Sequence, residues 1–169
     1  RYFEWVGGFL RGDLGMSLTS RTPVADQVFP ALGLSLVLVG CAIVLALVLA
    51  VPLGTLAAQR HRKPDGVAFT VVTQLGVALP NFLLALLLIA VFSVRLGWLP
   101  SGGWPEPGSG AGAVVAALIL PVLSLGLVRA AILARYMRSA ALDVQREDFI
   151  RTSRATGRTA AGALWRHGL

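Results

Sequence analysis

Three uninterrupted apolar runs restrict what this chain can become. Ala31 to Ala58 and Val67 to Val94 each hold 28 residues without a charge, and Pro107 to Val128 holds 22. The third stays apolar beyond Arg129 as far as Ala134. A bilayer's hydrocarbon core is about 30 Å thick, and roughly 20 helical residues rising about 1.5 Å each cross it. All three runs are long enough. None presents the amphipathic face that a helix inside a large soluble protein shows. Charged residues make up 14% of the chain, against about a quarter in a soluble domain. The expected fold is an all-α integral membrane protein, a polytopic helical bundle. Its spans fall at 31–58, 67–95 and 112–134, between an N-terminal segment 1–30 and a C-terminal segment 135–169. The first two runs are overlong, so they tilt, bend or extend past the lipid. Pro52 and Pro80 are the expected bending points, because proline removes a helix hydrogen bond and clashes with the preceding turn.

Orientation follows from the basic residues in the flanking segments. The link QRHRKPDG carries Arg60, Arg62 and Lys63, and the segment after the third span carries Arg135, Arg138, Arg146, Arg151, Arg154, Arg158 and Arg166. Opposite them stand Arg1, Arg11, Arg21 and Arg95, offset by Glu4, Asp13, Asp26 and Glu106. Ten basic residues against four place 59–66 and 135–169 in the cytoplasm and 1–30 outside. A start outside the cell without a visible signal peptide implies at least one further span upstream. Arg129 is the one charge within a span. It either snorkels to the nearby cytoplasmic interface or lines a translocation path. The external loop after the second span is rich in Gly and Pro, with Trp98 and Trp104 where aromatic belts sit.

The same residues exclude several chemistries. Cys41 is the single cysteine, so no disulfide framework or cysteine metal site can form within the chain. His61 and His167 lie far apart without acidic neighbours at ligand spacing, and no metal site is expected. No GxxxxGK[ST] stretch exists to cradle ATP phosphates, and GxSxG and HExxH are also absent. No carboxylate lies inside a span to relay protons or pair with a coupling ion. A net charge of +7 would by itself suit nucleic acid. However, the segment from Arg135 interleaves three acids with seven basic residues and nets only +4. A solute carried by this protein would therefore draw its energy from another chain.

From Arg135 the pattern turns mixed. Leu142, Phe149, Ile150 and Ser153 fall near one face at helical spacing. Glu147 with Arg151 and Asp148 with Arg151 form favourable pairs worth about 0.2–0.5 kcal/mol each. The helix is expected to end near Gly157, where a left-handed turn is cheap. Thr159 can cap a second helix, AAGALWRHGL. By composition this stretch, with REDFIRTSRATG at its centre, reads either as a solvated positive tail or as a docking surface.

The run ARYMRSAALDVQREDFIRTSRATGRTAAGALWRHGL closely resembles the cytoplasmic loop of permease subunits of bacterial ABC importers, in the dipeptide, oligopeptide and nickel branch. GDLGMSL with Pro23 and Val24 after it, PLGTLAA at the end of the first span, and FSVRLGWLPSGG after the second agree in the family's order. The resemblance covers nearly the whole chain. It implies the type I importer fold, in the middle part of a longer subunit lacking its first span and its last two. It also implies a multi-pass protein of the bacterial plasma membrane that binds no cofactor itself, ATP being held by partner subunits.

In such permeases the loop carries the EAA motif, whose first helix docks into a cleft on the ATPase. Arg151, Thr152 and Ser153 stand where that motif has Glu-Ala-Ala, and Gly157 falls on its glycine. The resemblance implies ATPase coupling through the 141–169 loop, at Phe149, Ile150, Arg151, Thr152, Ser153, Arg154 and Gly157. Expected partners are a second, homologous permease, two ATP-binding subunits, an extracytoplasmic solute-binding protein and the bilayer, with no nucleic acid. The expected function is a transport subunit for peptides or a similar small solute, not an enzyme. A membrane anchor or scaffold with a basic lipid-binding tail is the alternative. Pro80 and Asn81 break the second span at membrane depth, either beside the translocation path or as a kink packed on a neighbour. Arg129 is the third candidate for the path.

Overall fold

The computed structural model describes residues 2–61, 63–106, 108–145, 147–155, 157 and 162. For Glu4, Asp65, Phe149, Arg151, Ser153 and Arg154 only the backbone is described. Among the described residues six α-helices follow in order: α1 (Tyr2–Leu10), α2 (Val24–Gln59), α3 (Pro64–Ala78), α4 (Asn81–Leu88), α5 (Ala111–Val144) and α6 (Asp148–Ala155). A π-helical segment, Ile89–Arg95, extends α4. Among the described residues the sole β-type pairing is an isolated bridge between Met16 and Pro23. The chain divides into two compact units, 1–40 and 41–169, with the boundary inside α2.

In the first unit, α1 and the start of α2 are joined by a tightly bonded turn. The amide of Gly15 donates to Asp13 Oδ1 at 2.8 Å, and Gly15 takes φ +74°. The Ser17 amide donates to the Thr22 carbonyl, and the Val24 amide to the Gly15 carbonyl, both at 2.9 Å. Gln27 on α2 donates to the Thr22 hydroxyl at 2.8 Å.

The second unit holds the core, and small residues build it. On α2 the buried positions Ala42, Ala46, Ala50, Gly54 and Ala58 recur every fourth residue, as one face of a helix requires. On α5 they are answered by Gly126, Ala130, Ala134 and Ala141. Lipid tails are as apolar as leucine, so membrane helices associate through close packing, and small side chains let the backbones approach. A Cβ placed on Gly126 would lie 2.7 Å from Leu45 Cδ2, and one on Gly54 would lie 2.6 Å from Met137 Cβ. Ala58 packs with Ala141, beside Leu142 and Val144. Residue numbers rise together along both helices, so α2 and α5 run parallel. The chain between them must therefore return across the same depth.

That return is made by α3 and α4, which pack on α5 but meet each other at 99°. Helices α2 and α5 are each long and apolar enough to cross a membrane, and the bent pair forms a third, broken candidate. Pro80 causes the break, as expected. It has no amide hydrogen, and it drives Leu79 out of the helical region to φ −76°, ψ 123°. Pro52, the other expected bend, lies inside an unbroken α2.

Two boundaries differ from the sequence reading. Helix α2 begins at Val24, seven residues before the charge-free run. Helix α5 passes Ala134 without interruption and ends at Val144. Leaving lipid does not end a helix, and ARYMRSAALDV holds neither glycine nor proline to stop it. The single helix expected to align Leu142 with Phe149, Ile150 and Ser153 is thus two, with Leu142 on α5 and the others on α6.

Candidate functional site

The end of α5 and the whole of α6 form the first candidate region. The Gln145 amide closes α5 on the Ala141 carbonyl at 3.1 Å, and the Glu147 amide donates to the Val144 carbonyl at 3.1 Å. Positions 145–147 lie between the two helices. Helix α6 carries Asp148 in its first turn, where a carboxylate suits the positive helix end. The Thr152 hydroxyl donates back to the Asp148 carbonyl at 3.0 Å.

Ile150 decides how α6 sits. Its side chain is 1% exposed, among the largest fully buried in the described residues. Ile150 is therefore buried within this chain. Burying an isoleucine contributes about 1.5–3 kcal/mol, enough to hold so short a helix in place. Thr152 and Ala155, on the opposite side of α6, are exposed. Phe149, Arg151, Ser153 and Arg154 share the helix. Gly157 follows, exposed, at φ +92°. That left-handed conformation is the one expected at the helix end and is cheap only for glycine. Thr159 and the second helix AAGALWRHGL lie outside the described residues.

Two side-chain atoms beside this region are buried without a partner among the described residues, Arg138 Nε and Gln145 Nε2. They stand seven residues apart on or next to one helix, and so on one side of it. Sequence reasoning missed both, since nothing in an Arg or Gln by itself reports burial. His61 has Nδ1 2.8 Å from the Ala58 carbonyl at the end of α2. Beside it, a Cβ on Gly66 would collide with the Arg60 carbonyl, so the turn into α3 admits no side chain there.

The membrane break is the second candidate region. The Pro80 carbonyl receives the amides of Leu83 at 3.0 Å and Leu84 at 3.2 Å. Asn81 opens α4, and Pro80, Asn81 and Arg129 are all exposed. No described hydrogen bond or ion pair joins Arg129 to the other two. A cavity of about 250 Å³ lies between Ala85 and Ile89, the loop 100–103, and Ala117, Leu120, Pro121 and Ser124 of α5. Pro121 lacks an amide hydrogen, so the Ala117 carbonyl one turn earlier loses its helix partner. The Ser124 hydroxyl is committed to the Pro121 carbonyl at 2.9 Å. None of Pro80, Asn81 and Arg129 lines this cavity. The π-helical segment beside it is marked by the Leu96 amide donating five residues back to Val91 at 3.0 Å.

Residues 50–169 match the profile of a family described as "Binding-protein-dependent transport system inner membrane component". The oligopeptide transport system permease protein AppB of Bacillus subtilis (strain 168) is 37% identical over 172 residues, covering 100% of this chain and 54% of the relative. The glutathione transport system permease protein GsiC of Escherichia coli (strain K12) is 36% identical over 173 residues, covering 100% and 53%. The chain thus spans about half the length of the curated relatives it matches.

Proposed function

The chain belongs to the family of binding-protein-dependent transport system inner membrane components, and from that premise we propose that it is the permease subunit of an ATP-driven importer for peptides or a similar small solute. The names of the oligopeptide and glutathione permeases support the solute class. On this reading a second permease completes the pore, two ATP-binding subunits lie beneath, and an extracytoplasmic protein delivers the solute. Segments 59–66 and 135–169 face the cytoplasm, and 1–30 faces outward.

One observation carries the mechanism. Helix α5 is unbroken from its membrane-length apolar stretch to Val144, and α6, beginning at Asp148, carries the buried Ile150. A push on α6 therefore reaches the membrane through a rigid helix instead of being lost in a loop. The close packing at Gly54 and Gly126 makes α2 move with α5. ATP-driven closure of the partner subunits would tip this body between outward- and inward-facing states, a two-state element biased by a ligand bound elsewhere. Thr152, Ala155 and Gly157 supply the exposed part of the docking surface, and Phe149, Arg151, Ser153 and Arg154 belong to the same coupling element. The break at Pro80 and Asn81 is the hinge beside the path, and Arg129 lies toward its cytoplasmic end.

Cysteine cross-linking tests the reading. With Cys41 replaced by Ser, a Thr152→Cys variant should cross-link to an ATP-binding subunit, and the cross-link should block uptake. Absence of an ATP-hydrolysing companion in the purified complex would overturn it. So would reaction of the introduced thiol at position 152 with an impermeant reagent from outside only. A scaffold with a lipid-binding tail predicts neither cross-link nor loss of uptake.

A further inference from the structure

Helix α1 carries six large apolar or aromatic residues in nine: Tyr2, Phe3, Trp5, Val6, Phe9 and Leu10. At about 100° per residue these fall within one arc, and positions 4, 7 and 8 fall opposite. On the opposite side a Cβ on Gly7 would meet nothing within 4 Å. A Cβ on Gly8 would meet the Asp13 carbonyl oxygen at 3.7 Å and Asp13 Cβ at 3.9 Å. The apolar arc stays open, with Phe3 85% and Leu10 79% exposed. Trp5 and Phe9 stack on each other at 5.8 Å, forming one flat patch.

Backbone bonds tie α1 to the point where α2 enters the membrane. The Asp13 amide donates to the Gly8 carbonyl at 2.9 Å, and the Val24 amide closes the same turn onto Gly15 at 2.9 Å. Within this unit α2 is itself uncovered, with Leu32, Leu36, Val37 and Val39 exposed. The aromatic arc thus belongs to the same short unit as the lipid-facing start of a span.

We propose that α1 is an interfacial helix lying in the plane of the membrane, its arc sunk between headgroups and acyl chains and its Gly7–Gly8 side turned to water. Three arguments favour lipid over a protein partner. Trp and Tyr prefer the headgroup level, with the ring in lipid and the polar atom wet. An amphipathic helix of this pattern binds bilayers in that plane. A partner that comes and goes would leave six contiguous apolar residues in water each time it left, whereas lipid covers them always. The inference requires α2 to span the membrane, but it does not depend on ATPase coupling or on the solute.

Spin-label scanning of the protein reconstituted in phosphatidylcholine–phosphatidylglycerol vesicles tests it. In a Cys41→Ser background, single cysteines at positions 2–10 are labelled, and accessibility to oxygen is compared with that to a water-soluble nickel chelate. Oxygen should exceed the chelate several-fold at 2, 5, 6 and 9, and the ratio should invert at 4, 7 and 8. Chelate access at every position would overturn the proposal, as would positions 2, 5 and 9 closed to both reagents, the mark of a protein contact. A label at Leu36→Cys separates failures. Lipid exposure there without the periodic pattern in α1 sinks this inference alone, and water exposure there removes the span and this inference together.

Discussion

A Cβ placed on Gly54 would lie 2.7 Å from the carbonyl oxygen of Ala134. Backbone of α2 and backbone of α5 meet there with no room for a side chain, and the parallel pairing of the two spans depends on that contact.

Gly54→Val should therefore separate the helices. Neither backbone nor Met137 Cβ, 2.6 Å from the same position, can step aside as a side-chain tip would. Overpacking of this kind costs about 1–3 kcal/mol. The measurement is thermal unfolding of the purified protein in detergent. Gly40→Ala, with nothing within 4 Å of its added Cβ, should leave the transition unchanged or raise it slightly.

Gly126 makes the second close approach, and it should prove more forgiving. Its added Cβ would meet Leu45 Cδ2 at 2.7 Å, the far end of a flexible side chain, while the Ala42 carbonyl oxygen is 3.3 Å away. Gly126→Ala should destabilise by less than Gly54→Ala, and Leu45→Ala should restore part of the loss. A double-mutant cycle read by thermal unfolding checks the coupling, with about 0.5–3 kcal/mol expected between contacting sites. Strict additivity would disprove the contact.

Pro80→Ala should straighten the broken pair. Alanine supplies the missing amide and lets residue 79 return to helical angles. Labels at positions 67 and 94, on either side of the 99° bend, should move apart in a pulsed-dipolar distance measurement, and uptake should fall. An unchanged distance would mean that packing on α5, rather than the proline, sets the angle.

Ile150→Ala should free α6 while leaving the spans folded. Removing a fully buried isoleucine typically costs about 2–5 kcal/mol, here confined to the helix it anchors. Amide exchange across 148–155 should accelerate, with α2 and α5 protection unaltered. Thr152→Ala, at an exposed position, should leave exchange nearly as it was.

Gly157→Val should uncouple ATP hydrolysis from uptake while the protein stays in the membrane. At φ +92° a β-branched residue is strained by about 1–3 kcal/mol, so the turn after α6 would have to rearrange. Solute-stimulated uptake at the normal rate in that variant would count against a coupling role for this turn.

How much of this was legible beforehand differs from residue to residue. The spans were plain because 28 uncharged residues have few other places to go. The break at Pro80 and the left-handed Gly157 were readable because each follows from one residue's backbone limits. Local chemistry of that sort needs no knowledge of neighbours. The burial of Ile150 was not legible for the converse reason. An isoleucine on a polar helix looks the same whether it seeks a partner or its own core, and only the position of α6 beside the rest of the chain separates the two. The unpaired Arg138 Nε and Gln145 Nε2 were invisible for the same reason.

The order of apolar and charged segments thus determined by itself that this is a membrane protein, which loops carry the basic residues, and where proline and glycine interrupt the helices. Those properties come from each residue's own solvation and dihedral limits. The tertiary structure alone decided that α2 and α5 run parallel in backbone contact at Gly54, that α5 continues past its apolar run to Val144, and that Ile150 is buried. Each of these depends on which distant residues fill the neighbouring space, a quantity that no short stretch of sequence contains.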